Sequence, residues 1–229
     1  MDIFAQQTEI KQTTRAMAAE WLFRCLKTTQ SVRNTETFFL CMSVLDRYIA
    51  QVTIPIRQFL LAACASALLA SKCEETCGIY PNTLVRNTQN SFSANDLLEA
   101  EKRIALQLDM KVQVCSSYQV ASALLSEQDP PPSQKQRIIV YYILTLVTTF
   151  THFGEYPQRY LAAAAVHISR VVCNVRSCPP SAEVAQVLPV VLNCVRQGYH
   201  GAKIGGLLYD MFAADSYQCV STIPYESYF

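Results

Sequence analysis

FLLAACASALLASKCEE, running from Phe59 to Glu75, is the stretch that decides the fold. From Phe59 to Ser71 it carries no charge and no helix breaker, and Ala62, Ala63, Cys64, Ala65, Ser66, Ala67, Ala70 and Ser71 are all small. Ala and Leu are strong helix formers, so the segment reads as a helix. A helix that is apolar on every side has to be enclosed by protein or by lipid. Its thirteen uncharged residues fall short of the roughly 20 that a bilayer span takes. Small side chains on all faces let neighbouring helices approach closely. The expectation is a central helix ringed by others, with Lys72, Glu74 and Glu75 emerging at its end on a rim.

Working outward, the flanks supply the ring. Upstream, Met17, Trp21, Leu22 and Cys25 form a helical stripe between about Thr13 and Lys27, and Phe38, Phe39, Met42, Leu45 and Ile49 form another between about Thr35 and Ala50. Pro55 punctuates before the central helix. Downstream, a short helix fits near Asn82 to Arg86. Ser93 with Asp96 reads as a capping box opening a helix to about Leu108. Beyond Tyr118 the pattern restarts, with helices near Tyr118 to Ser126, Gln134 to Thr151, Pro157 to Cys173, Ser181 to Gln197 and Lys203 to Phe212. LAACASALLASKC from Leu61 is echoed by LAAAAVHISRVVC from Leu161, one hundred residues on. That period is too long for a solenoid and suggests two related five-helix domains. The expected fold is all-α, with each domain built around an Ala-rich helix. The divisions expected are a lead over 1–12, a first domain over 13–115, a second over 116–215 and a tail over 216–229, with the Pro-rich Asp129 to Pro132 as a linker edge.

Composition narrows the function classes. Apolar residues make up 51% of the 229 and charged ones only 16%, so a large core is available. A net charge of +1 gives no electrostatic case for nucleic acid or an anionic membrane. The N-terminus lacks the basic-then-apolar run of a signal peptide. The ten cysteines lie in apolar helical stretches, and Cys73/Cys77 and Cys173/Cys178 miss the C-x-x-C spacing of zinc sites. They read as reduced core thiols of an intracellular, nuclear or cytoplasmic, protein. No G-x-S-x-G, H-E-x-x-H or phosphate-loop pattern occurs, so no catalytic residue, cofactor or metal is expected. The carboxylates Glu74, Glu75, Glu99 and Glu101 read as a solvated rim or ion pairs. Arg15 and Asp46 each sit beside apolar faces, and an unpaired buried charge is heavily penalised, so the two are expected to pair. Lys72 and Glu101 are expected close together, exposed at one rim.

TRAMAAEWL from Thr14, TETFFLCMSVLDRYI from Thr35, LLASKCEE from Leu68, IYPNTLV from Ile79 and LLEAEKRIALQLDMKV from Leu97 resemble the cyclin box. The five hallmark positions of that family are filled by Arg15, Asp46, Leu61, Lys72 and Glu101. The second half, with YPQRYLAAAAVHISRVV from Tyr156, resembles the family's more variable second box. The short lead, without an R-x-x-L degradation box, and the cysteine-rich body look like a herpesvirus-encoded cyclin more than a cellular one.

The resemblance implies a regulatory subunit, not an enzyme, that forms a 1:1 heterodimer with a cyclin-dependent protein kinase and drives the cell cycle. It implies kinase contacts at Lys72 and Glu101, with Cys73, Ala105, Met110 and Val112 in an apolar pocket near them. It also implies a substrate-docking patch on the first helix. Met17, Glu20 and Trp21 keep that patch's character; Thr14 and Ala18 shrink it, Arg24 stands where the family often has a carboxylate, and Leu60 where it has a Gln. Weak recruitment of Arg-x-Leu substrates and inhibitors is the expectation. The alternative weighed is a cyclin-box transcription factor of the TFIIB type; the missing zinc ribbon and the near-zero net charge count against it.

Overall fold

The computed structural model describes residues 3–176 and 179–229. Cys178, counted above among the core thiols, lies outside the described residues. Among those described, the chain is all helical, with α1 (Gln12–Thr28), α2 (Glu36–Ile49), α3 (Ile56–Glu74), α4 (Pro81–Asn87), α5 (Ala94–Gln107), α6 (Ser117–Ser126), α7 (Gln134–Phe150), α8 (Gln158–Val172), α9 (Ala182–Gln197) and α10 (Gly206–Phe212). Backbone contacts divide it into two compact units, Met1–Val114 and Cys115–Phe229.

In the first unit α3 is the hub, packed by α1, α2 and α5, while α4 packs on α5. Every residue of α3 from Ala62 to Ser71 is buried. The helix is 19 residues long and apolar enough to cross a bilayer by composition, but here its small faces are filled by protein. Local chemistry sets the helix ends. Ser93 Oγ accepts from Asp96 N at 3.1 Å and Asp96 Oδ2 accepts from Ser93 N at 2.8 Å, closing the capping box at the start of α5. Pro81 opens α4 from its first turn, where its missing N–H costs nothing.

Glu75, read from sequence as rim charge, has a structural task. Its carboxylate accepts from the backbone N–H groups of Arg33 and Asn34, each at 3.0 Å, and from the Thr37 hydroxyl. The end of α3 thereby holds the entry to α2, where a negative charge also suits the helix dipole.

In the second unit α8 takes the place of the hub, packed by α6, α7 and α9. Ser116, Ser133 and Ser181 cap α6, α7 and α9 through their side chains. Two sequence expectations are corrected here. The Pro-rich Asp129 to Pro132, expected as a linker edge, lies between α6 and α7, inside the second unit; the units divide at Val114/Cys115, beside the 115/116 division read from the sequence. The reason is that α6 has to bury its apolar face on α8. The residues after Phe212, of which 216–229 were set apart as a tail, form three short 3-10 turns, and Val220 and Tyr225 are buried. Tyr225 donates its hydroxyl to Val220 O at 2.8 Å and Ser221 to Tyr209 O at 2.7 Å. Nor are all the thiols in the core: Cys25, Cys41, Cys64 and Cys194 are buried, but Cys73, Cys77 and Cys115 are exposed.

Candidate functional site: the α3–α5 rim

The last turn of α3 and the middle of α5 bring Lys72 and Glu101 together. Lys72 Nζ donates to Glu101 Oε2 at 2.7 Å. The two ends differ in exposure: the Lys72 side chain is 48% accessible, that of Glu101 only 10%. Both were expected exposed; Glu101 is instead sunk between the two packed helices, leaving the ammonium as the accessible charge. Gly78 shapes the approach. A Cβ there would lie 3.1 Å from Lys72 Cγ and 3.5 Å from Ser71 Oγ, so the chain folds back in close contact with the lysine stem. Ile79 N donates to Ser71 Oγ at 3.0 Å and fixes that return.

Around this pair the expected apolar positions part company. Cys73 is exposed beside Lys72, and burial followed by the charges of Glu74 and Glu101 pushes its thiol pKa up. Ala105 lies one turn after Glu101 and is buried, as is Val112. Met110 is 67% exposed, so it projects from the surface rather than lining a recess. The cause is the turn that ends α5. Asp109 (φ 52°) and Met110 (φ 59°) both take the left-handed conformation, and Met110 N donates to Ala105 O at 2.8 Å. This reverses the chain and leaves the methionine outside. Sequence reading also passed over Arg47, whose Nη1 donates to Val112 O at 3.0 Å and Nη2 to Lys111 O at 2.5 Å.

Arg15 and Asp46 meet across α1 and α2. Nε donates to Oδ1 at 2.6 Å and Nη2 to Oδ2 at 2.8 Å, a two-pronged pair with both side chains at most 1% accessible. It is away from solvent and has no surface to offer a partner. Leu61, the remaining hallmark position, is half-buried on α3.

Met17, Glu20, Trp21 and Arg24 follow helical spacing on α1 and share one face. Met17 is 60% exposed, Arg24 is exposed, and Ala18, Glu20 and Trp21 are partly covered. Leu60, expected at the edge of this face, lines a cavity of about 310 Å³ together with Arg57, Phe92, Asp96 and Arg103. The four α1 residues thus share one face, and Leu60 lines the cavity between α3 and the start of α5. Among the described residues no group of three or more His, Cys, Asp or Glu side chains is arranged to hold a metal ion.

The model of the family described as "Cyclin, N-terminal domain" matches residues 1–113, which is the first unit almost residue for residue. That unit belongs to the cyclin family. Among curated relatives, the G2/mitotic-specific cyclin-3 of Saccharomyces cerevisiae is 30% identical over 107 residues, which is 47% of this chain and 25% of that cyclin. Cyclin-B1-2 of Arabidopsis thaliana is 27% identical over 182 residues, 79% of this chain and 39% of the relative. The chain thus spans well under half the length of either cyclin. Among solved structures, a viral cyclin from herpesvirus saimiri superposes with a TM-score of 0.70 over 85% of this chain and 86% of its own, at 16% identity. This is a shared cyclin fold carried by largely different side chains.

Proposed function

We propose that this chain is a cyclin regulatory subunit that binds a cyclin-dependent protein kinase one-to-one and switches it on, without catalytic activity of its own. The observation that carries the reading is the Lys72–Glu101 pair at the α3–α5 rim, with an accessible ammonium and the projecting Met110 one short turn beyond α5. A kinase is active only when the Glu of its regulatory helix pairs with its catalytic Lys. A subunit that binds that helix in its inward position alone shifts the population toward the active arrangement. Lys72 offers donors and Glu101 acceptors to the partner's backbone; Met110 offers apolar surface. The second unit, with α8 as its hub as α3 is of the first, acts as a second cyclin box on this reading. The test is to incubate the purified chain with a panel of purified cell-cycle kinases and measure phosphate transfer and complex mass. No activation of any kinase overturns the proposal, and a mass other than one-to-one overturns the stoichiometry.

The finer part of the proposal is a herpesvirus-type cyclin, acting in the nucleus or cytoplasm, that escapes inhibitors docking through Arg-x-Leu. Arg24 is exposed on the α1 face, where it repels the cation of such a peptide, and Ala18 leaves a shallow seat for its Leu. Fully burying a Leu is worth about 1.5–3 kcal/mol, so losing part of that contact weakens binding several-fold or more. Titrating an Arg-x-Leu peptide against this chain and a cellular cyclin decides it: equal affinities overturn the escape. Imaging a fluorescent fusion in dividing cells checks the location, and signal confined to membranes or the medium overturns that part.

A further inference from the structure

Asp46 and Arg47 are neighbours on α2, yet they serve different parts of the molecule. One step along an α-helix turns the side chain by about 100°. Asp46 turns into the core toward Arg15. Arg47 leaves the helix sideways and reaches the chain that has just left α5, where its guanidinium donates to the Lys111 and Val112 carbonyls at 2.5 and 3.0 Å. Two consecutive carbonyls on one guanidinium is a fork that a single ammonium does not reproduce.

The segment so held needs holding. From Lys111 to Cys115 it has no regular secondary structure. It begins with two left-handed residues, Asp109 and Met110, a conformation that is sparsely populated for a side chain as long as methionine's. Such strain persists where surrounding structure over-determines it. Asp109 N to Leu106 O at 3.0 Å, Met110 N to Ala105 O at 2.8 Å and Lys111 N to Leu108 O at 2.9 Å tie the turn from the α5 side. Arg47 ties it from α2, just beyond the turn. Met110, exposed, and Val112, buried, flank the point of attachment.

We infer that Arg47 is a positioning residue for kinase binding: by gripping the Lys111 and Val112 carbonyls it holds the Met110–Val112 segment in the shape that the kinase meets. The inference rests on the proposed kinase-activating role. Arg47 touches no partner itself; it acts through the segment. Because the guanidinium is only half-buried and grips irregular chain rather than core, its loss loosens the segment more than it loosens the unit.

The experiment compares wild type, Arg47→Met, Arg47→Lys, Met110→Ala and the Arg47→Met/Met110→Ala double variant. Three quantities are read: amide hydrogen exchange, melting temperature, and Kd for whichever of a panel of purified cell-cycle cyclin-dependent kinases the wild type binds. Arg47→Met is expected to speed exchange over Lys111 to Val114 and to weaken binding about tenfold, with the melting temperature nearly unchanged. Arg47→Lys recovers part of the loss. The double variant loses less than the product of the two single losses, since both act through one segment. Unchanged exchange over that segment overturns the inference, as does a loss of affinity explained by global unfolding or strict additivity of the two losses. If the wild type binds no kinase in the panel, the proposed function fails instead, while the exchange measurement still decides whether Arg47 holds the segment.

Discussion

Lys72 and Arg15 are both paired cations of the cyclin unit, and solvent makes opposite things of them. Lys72 is half in water, and an ion pair so placed contributes little to stability, about 0–1 kcal/mol. Lys72→Ala with Glu101→Ala is therefore expected to keep the helical fold and its melting temperature within a few degrees. Losing hydrogen-bonded charges at an interface costs about 2–5 kcal/mol, so kinase binding should fall at least about thirtyfold. A double variant that activates the kinase like wild type refutes the assignment. Arg15 has no water to turn to. Asp46→Ala strands its charge, at about 3–5 kcal/mol. Since about 1 kcal/mol moves the melting temperature by about 4–8 °C in a domain near this size, a drop of more than about 10 °C is expected by calorimetry. An unchanged curve refutes the pair's structural role. Sequence reading found both pairs because a charge beside an apolar stripe demands a partner. It missed Glu75 and Arg47, whose ligands, the Thr37 hydroxyl on Glu75 apart, are backbone N–H and C=O groups. Every residue carries those groups, so no side-chain pattern advertises them.

At the scale of the element, α1 carries two jobs on two faces. One buries Ala16, Ala19, Leu22, Phe23 and Leu26. The other presents Met17, Glu20, Trp21 and Arg24. Changes on the second face leave the packing of the first intact. Ala18→Leu with Arg24→Glu is thus expected to restore Arg-x-Leu peptide binding by about tenfold or more without altering kinase activation. Titration of the same peptide against both forms checks this, and no gain refutes the proposed cause. Helix interiors were legible because period and small-residue runs mark them. The turn that follows α5 was not, because Asp109 and Met110 adopt left-handed conformations that neither residue announces as glycine would. Met110 consequently stands exposed beyond α5.

Over the whole molecule, the all-helical class and the two Ala-rich hubs followed from composition and repeat, while the place of the Pro-rich Asp129 to Pro132 inside the second unit did not. Proline marks a break in a helix, not an edge of a core, and the break after α6 lies within a core. The thiols report on both units at once. Burial pushes the thiol pKa of Cys41 and Cys64 far up and that of Cys194 up to about 12, so these stay protonated and shielded from reagent. Cys73, Cys77 and Cys115 are exposed. With maleimide at neutral pH the native chain is expected to label Cys77 and Cys115 readily, Cys73 more slowly, and Cys41, Cys64 and Cys194 only after denaturation. Peptide mass spectrometry reads the order, and early labelling of Cys64 would contradict the enclosure of α3.

That enclosure sets a limit on heredity. Ala63, Ala65, Ala67 and Ala70 have no accessible surface, and adding methylenes to such sites costs about 1–3 kcal/mol each. The only alphabet open to them is Gly, Ala, Ser and Cys, and Cys64 and Ser66 already draw on it. The outward residues are under no such rule. They can therefore be rewritten while the hub keeps the bore of its socket, and partner choice can evolve without the fold being renegotiated.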